Sequence, residues 1–490
     1  MLDRLVHRGP DDEGSVAVAG AWLGHRRLSI VDVKGGHQPL VGNRGDLFMV
    51  GNGEVYNHAA VRSRLNGTPF RTASDNEIAL HLVDEQGPDA LAQLNGMFAF
   101  AIAGEDGRFV AARDPVGIKP LYWARDGDGA VFASEMAAFE DEHRGAIEAF
   151  PPGHHWTPER GLARFAPAVP DGLRDDPAPP GLNGSGPTPE ALTATRDVLV
   201  DAVERQMMGD VPVGVFLSGG LDSSLVAAIA QNYLRERGER LQTFAVGLEG
   251  SPDLLAARAA AADLGTDHHE RVYTAAEATE ILPGVVASIE AFDPSLVRSA
   301  VPNHMLAELA AEHVKVVLTG EGADELFAGY GYMRRYDDPA ALHEELVRSI
   351  EGLHNLNLQR CDRVTMAHGL EARVPFLDRE TIAHALRLPA AWKLTAAGRP
   401  EKRLLREAFE GWLPHELLWR DKAQFGDGSG AASVLTEPFS EAITEAELHA
   451  ERHEVAPALR TREELAYFRI FREHLGEVRP ERTLGRFATA

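Results

Sequence analysis

Hydrophobic and polar positions along this chain follow two different rhythms. Up to about residue 165, short apolar runs at 45–50, 98–102, 108–112 and 129–133 are bounded by Gly, Asp and Asn, which predicts short strands with one or two helices between them. From residue 188 onward, apolar strands at 213–217, 243–246 and 314–318 alternate with long Ala- and Leu-rich helical patterns, the signature of a parallel sheet wrapped by helices. Roughly the last 140 residues read as mostly helical. No internal repeat is visible.

The change of rhythm falls on PAVPDGLRDDPAPPGLNGSGP, where Pro, Gly, Asp and Asn crowd together without apolar periodicity. The expected organisation is therefore a first domain over 1–165, a linker over 166–187 and a second domain over 188–490. Thr188-Pro189-Glu190 reads as N-cap, proline at the first helical position and an acid in the first turn. Leu192, Leu199 and Val203 then recur on one face, so a helix opens the second domain.

Composition narrows the function classes. Seventy-four acidic against 49 basic residues leave a formal charge of −25, which repels phosphate backbones and anionic lipid; nucleic acid and membrane are not expected partners. A site for an anionic ligand must then gather its own positive charge. The single cysteine, Cys361, rules out an intrachain disulfide or a cysteine-based zinc site. No run approaches a membrane span and Met1-Leu2-Asp3-Arg4 opens no apolar leader, so the expected location is cytoplasmic.

Two segments carry candidate chemistry. Residues 213–224, VGVFLSGGLDSS, read as a buried strand, a glycine-rich turn and a helix beginning near Leu225. Such a turn presents free N–H groups and a helix N-terminus at the C-terminal edge of a parallel strand, where phosphate oxygens fit. It lacks the Lys-Ser/Thr of a Walker A loop, and by itself it is equally a tight structural corner. Gly219 and Gly220 permit close backbone approach, Ser218, Ser223 and Ser224 offer hydroxyls, and Asp222 could hold Mg²⁺. The second segment, LTGEGADELFAGY at 318–330, places three carboxylates after another predicted strand. Glu321 between two glycines suits a base or an ammonium partner, and Asp324 could complete a Mg²⁺ site. Its plainer reading is an acidic helix start, which leaves those glycines unexplained.

SGGLDSS and LTGEGADELFAGY together resemble the paired motifs of the asparagine synthetases, members of the N-type ATP pyrophosphatases. RCDRVTMAHGLEARVPFLD at 360–378, EKRLLREAF at 401–409 and RDKAQFGDGSG at 420–430 agree, so the resemblance covers nearly the whole chain. It implies ATP as substrate, with Leu217 and Val246 framing adenosine. Ser218, Gly219, Gly220, Asp222, Ser223, Thr319 and Gly320 would surround the phosphates. Glu321 and Asp324 would serve the aspartate and its adenylate, Asp222 and Asp324 the metal, and Lys422 the leaving pyrophosphate, with Glu321, Lys422 and Asp222 as catalytic residues. Lys402 and Arg373 are further candidates, whose ordinary reading is a structural ion pair.

The first domain carries HRGPD at 7–11, GHRRLSIVD at 24–32, NGEVYNH at 52–58 and SDNE at 74–77, which resemble the class II glutamine amidotransferase domain, an N-terminal-nucleophile hydrolase. Read without the family, NGE is a turn signal and RRLSI a charged turn before a strand. The resemblance implies a glutamine site of Arg27, Leu28, Ser29, Ile30, Val31, Asn52, Gly53, Glu54 and Asp75. Arg27 would clamp the α-carboxylate, Glu54 and Asp75 would hold the ammonium, and Asn52 with Gly53 would supply oxyanion donors. The expected fold is thus α+β, nucleophile-hydrolase-like and lacking its first strand, followed by an α/β parallel-sheet ATP pyrophosphatase domain with a helical C-terminal region.

That family uses a cysteine as mature first residue, its own α-amine acting as base. Here the chain starts Met1-Leu2, at a point past the family's nucleophile and first strand; Cys361, on a predicted helix of the second domain, reads as a structural thiol. The expectation is either a reading frame that begins upstream or a truncated enzyme fed by free ammonia. Retention of Arg27, Asn52, Glu54 and Asp75 favours the former. Expected substrates are L-aspartate with L-glutamine or ammonia, and a homodimer is admissible. Two readings stand beside it: an amidotransferase of the β-lactam-synthetase kind acting on another carboxylic acid, and a nucleotide-binding regulator without catalysis.

Overall fold

The computed structural model describes residues 1–65, 67–175, 186–395, 400–420 and 431–487. Strands β1 (Asp12–Val18) and β2 (Ala21–Arg27) form a hairpin, and β3 (Leu40–Val41), β4 (Leu47–Val55), β5 (Gly96–Gly104) and β6 (Phe109–Arg113) follow. Next come β7 (Tyr122–Asp126), β8 (Gly129–Ala133), β9 (Glu148–Ala149), β10 (His154–Thr157) and β11 (Gly161–Arg164). Strands β11-β10-β6-β5-β4-β3 make one antiparallel sheet, and β8-β7-β9 a smaller one. Apolar side chains of the helix Glu77–Gln86 (Ile78, Leu80, Leu82) pack with Met49, Phe98 and Phe100 from β4 and β5 in one core.

The NGE segment is not a turn. Asn52, Gly53 and Glu54 lie inside β4, opposite Ala99, Phe98 and Met97 of β5. Gly53 has φ +126°, and a Cβ there would stand 1.9 Å from the Met97 carbonyl oxygen, so only glycine lets the strands close at this point. A turn signal in composition became a strand distortion because the neighbouring strand supplies the missing hydrogen bonds.

The second half opens on the helix Pro189–Gln206, whose N-cap Thr188 accepts from the Ala191 N–H; Leu199 and Val203 are buried and Leu192 half-buried. Strands β12 (Val213–Phe216), β13 (Gln242–Leu248), β14 (Asp267–Tyr273), β15 (Val316–Leu318) and β16 (Glu371–Arg373) make a parallel sheet in the order β14-β13-β12-β15-β16. The chain runs outward from β12 to β14 and then returns to lie on the other side of β12. The order therefore reverses between β12 and β15, and a crevice opens beyond their carboxyl ends. Both edge strands escaped the sequence reading: β14 is DHHERVY and β16 is EAR, and neither is an apolar run. Beyond β16 the described chain is mostly helical, and among the described residues no helix is long and apolar enough to cross a membrane.

Buried charge joins the two halves. Arg8 meets Glu135 and Asp362 at 2.8 Å each, Arg363 meets Glu135 at 2.7 Å and Glu290 at 2.8 Å, and Lys119 meets Glu371 at 3.1 Å. Each ion is desolvated and held by its partners, so this layer specifies one docking geometry more than it adds stability.

Candidate active site

The helix after β12 begins at Leu221, four residues before the expected position, and runs to Arg235. Gly220 caps it in an extended conformation, which brings Asp222, Ser223 and Ser224 into the first turn. The Ser223 Oγ accepts from the Ser218 N–H at 3.2 Å and lies 3.0 Å from the Ser218 Oγ, closing the turn on itself. Among the described residues no side chain caps the helix, so its N-terminal N–H groups remain for a ligand. Ser224 turns inward instead, its hydroxyl buried and without a partner among the described residues.

The loop after β15 arrives beside this turn. A Cβ on Gly320 would stand 2.8 Å from the Asp222 Cβ and 3.0 Å from the Ser223 nitrogen, so the two loops touch and only glycine permits it. Both open into a cavity of about 550 Å³ lined by Leu217, Ser218, Gly220, Asp222, Ser223, Val246, Thr319, Gly320, Glu321 and Asp324. Gly219 does not line it: its backbone is left-handed, at φ +68°, and packs against Ala256 and Ala257. Lys422 lies outside the described residues.

Positive charge is concentrated here despite the acidic chain. The Lys402 Nζ stands 2.5 Å from Asp222 Oδ2 and 2.5 Å from Asp324 Oδ1. Burial alone would lower its pKa; the paired carboxylates outweigh burial and hold the amine above its usual range. Arg360 pairs with Glu321, and Arg420 donates to the Gly219 carbonyl at 3.1 Å and to Asp253 at 3.3 Å, tying the glycine turn to the helix Pro252–Leu264. In the sequence Lys402 reads as an ion-pair residue of second rank, and nothing local singles out Arg360 or Arg420. Their motifs, EKRLL, RCDR and RDK, were visible, but nothing in spacing placed them opposite these carboxylates.

Asp222 and Asp324 fit a divalent cation bound together with phosphate. Asp222 Oδ1 is buried without a hydrogen-bond partner among the described residues, and Mg²⁺ is ordinarily held by one or two carboxylates with substrate phosphates completing its shell. Among the described residues no group of three or more His, Cys, Asp or Glu forms a cage by itself.

Glu325 lines the same cavity and accepts from Tyr330 Oη at 2.6 Å. Burial first, then the Asp324 charge, push its carboxyl up to about 7. A carboxyl with a folded-state pKa above its unfolded one binds its proton more tightly in the folded chain. Its stabilising contribution is full below about pH 4.5 and lost as pH rises through about 7, on the order of 3 kcal/mol. Thermal melts from pH 4.5 to 7.5 should therefore fall less steeply in Glu325→Gln than in the wild type, and parallel slopes would remove this assignment. Cys361 borders the cavity from the helix Asn357–Met366, its thiol pushed up to about 12 by burial and then by Glu321, which makes it a poor nucleophile.

A second, smaller cavity of about 110 Å³ lies in the first half. Arg27, Leu28, Ile30, Val31, Asn52, Gly53, Glu54 and Asp75 line it, joined by Met366 and Glu371 from the second half. Ser29 does not: its N–H donates to Asp11 and its side chain is buried elsewhere. The Arg27 fork, expected to clamp an α-carboxylate, donates to the carbonyls of Val31, Asp32 and Val33, because a buried guanidinium must satisfy its donors. Asp75 accepts from the Val55 N–H at 2.6 Å and the Asn76 amide donates to the Gly53 carbonyl at 2.9 Å, so the start of the helix Glu77–Gln86 pins NGE in place. Asn52 Nδ2 and Glu54 Oε2 are buried without hydrogen-bond partners among the described residues, a donor and an acceptor ready for a ligand.

These features define a glutamine amidotransferase-like N-terminal half joined to an ATP-pyrophosphatase-like parallel-sheet half. The asparagine synthase family model matches residues 194–339 and 335–482, and the glutamine amidotransferase domain model matches 1–150. The chain is 41% identical over 443 residues to asparagine synthetase [glutamine-hydrolyzing] 2 of Arabidopsis thaliana, covering 87% of this chain and 75% of that one. It is 38% identical to asparagine synthetase B [glutamine-hydrolyzing] of Escherichia coli, with 92% and 83% covered. The figure is also 38% for the probable asparagine synthetase [glutamine-hydrolyzing] of Schizosaccharomyces pombe, with 96% and 88% covered. The chain belongs to the asparagine synthase family.

Proposed function

We propose that this chain is a carbon–nitrogen ligase that amidates L-aspartate to L-asparagine, using ATP and the amide nitrogen of glutamine. The observation that carries the reading is the contact of the SGG and TGEG loops at Gly320 and Asp222, which sets an open helix N-terminus and Glu321 in one cavity. In the proposed reaction, a β-carboxylate oxygen of aspartate attacks the α-phosphorus of ATP. The bond to the bridging oxygen breaks, pyrophosphate leaves, and an acyl-adenylate forms. Ammonia then attacks the acyl carbon, a proton passes to Glu321, and AMP departs.

Leu217 and Val246 frame the adenosine in this reading, while Ser218, Gly220, Ser223, Thr319 and Gly320 bind phosphate. Asp222 and Asp324 would hold Mg²⁺, which supplies charge neutralisation on the phosphates. Lys402 and Lys422 add fixed positive charge, worth most where water is excluded. Asn52, Gly53, Glu54, Asp75 and Arg27 form the glutamine pocket. The helix Asn357–Met366 borders both cavities, Val364 and Thr365 facing one and Met366 the other, which suits ammonia passing along it. A free buried thiol and acidic surface suit a reducing cytoplasm.

Pyrophosphate release tests the proposal. It should require ATP, aspartate and a nitrogen source, with ammonium chloride and glutamine compared in parallel. Release that is indifferent to aspartate would overturn it.

A further inference from the structure

Strand β16 belongs to the parallel sheet, yet its side chains reach the glutamine pocket. Arg373 is completely buried; its Nε donates to Glu371 at 2.9 Å, its NH1 donates to the Gln206 carbonyl at 2.7 Å, and its NH2 stands 3.4 Å from Glu54 Oε1. That NH2 has no aligned hydrogen-bond acceptor among the described residues, so its link to Glu54 is one of charge and position. Glu371 also lines the pocket and takes Lys119 at 3.1 Å. Arg373 thus joins Glu371 to Glu54, Lys119 holds Glu371 from its other side, and Arg27 lines the same pocket. Glu54 Oε2 is buried without a hydrogen-bond partner among the described residues.

We propose that Arg373 is a positioning residue for glutamine: contributed by the synthetase half, it holds Glu54 in place, so that the α-ammonium of the substrate meets the Oε2 oxygen. The inference rests on the glutamine-pocket reading and adds to it a residue from the other domain. Burial first, then repulsion by Asp75 and Glu371, drive the Glu54 carboxyl well above its usual range, while the Arg373 guanidinium draws it down. The same residue also touches the other site, since its backbone carbonyl accepts the Thr319 N–H at 2.9 Å at the head of the TGEG loop.

The role predicts selectivity for an ammonium group rather than mere folding. Calorimetry on the full chain would compare L-glutamine with 5-amino-5-oxopentanoic acid, which lacks the α-amine. The wild type should prefer glutamine. Arg373→Met should shrink that preference by about tenfold, and Arg373→Lys, which keeps the charge, by less. In a Glu54→Gln background Arg373→Met should change the preference no further, because the two act through one contact. Should Arg373→Met fail to fold, Arg373→Lys alone and in the Glu54→Gln background carries the same comparison. An Arg373 variant that folds and discriminates like the wild type would overturn the role of Arg373 while leaving the pocket intact. A wild type that binds neither compound overturns both.

Discussion

Glu321→Gln is expected to lower aspartate-dependent pyrophosphate release by roughly two to four orders of magnitude, the range for loss of a positioned proton acceptor. The size of the effect follows from how little freedom this residue has. Gly320 is pressed against Asp222 and Ser223, and Gly322, at φ +96°, has Leu377 2.5 Å from where a Cβ would be. The Glu321 N–H donates to Thr319 Oγ1 at 3.4 Å, and the carboxylate is paired with Arg360, itself almost wholly buried. Glutamine keeps the shape and removes the charge, so nucleotide affinity measured by calorimetry should change little while turnover collapses. A variant that retains more than about a tenth of wild-type turnover would remove Glu321 from the chemistry.

Lys402→Met should lower turnover by about 10²–10³-fold, the loss typical of one preorganised electrostatic group. Two carboxylates, Asp222 and Asp324, now share its amine at 2.5 Å each. Without it the two carboxylates lose the cation they share. Lys402→Arg should not restore activity, because the niche is filled: a Cβ on Gly329 would already be 2.1 Å from Lys402 Cε, leaving no width for a planar guanidinium. Raising Mg²⁺ should recover part of the lost activity by offsetting the charge of Asp222 and Asp324. Full activity in Lys402→Arg at ordinary Mg²⁺ would contradict this account of the amine as a shaped point charge.

Strand-rich and parallel-sheet halves were legible because burial imposes local periodicity. VGVF and VVL are apolar on both faces as central parallel strands must be, and the helix Pro189–Gln206 announced itself through Thr188 and Pro189. Edge strands were not legible. The side chains of β14 meet solvent on the outer side, and those of β16 are buried among opposite charges, so neither shows an apolar run. At the sites the same division holds. Gly320, Glu321, Gly322 and the SGG turn stood out locally, since glycines beside a carboxylate have few structural explanations. Lys402 is 180 positions from Asp222, and Arg373 is far from Glu54 along the chain. Gly219 and Ser29 were drawn into their sites by their neighbours in sequence and are turned out of them by the backbone.

What the sequence by itself determined was the set of local commitments: which apolar segments are central strands or helices, where the chain changes character, and which short loops set glycines beside hydroxyls or a carboxylate. Those follow from backbone sterics and side-chain polarity within a few residues. Tertiary structure alone decided which of these loops share a cavity, which cation answers which carboxylate, and that a strand of one half closes the pocket of the other. Such pairings depend on distance in space, and Coulomb energy in a dry interior responds to separations of a few ångströms regardless of how many residues lie between.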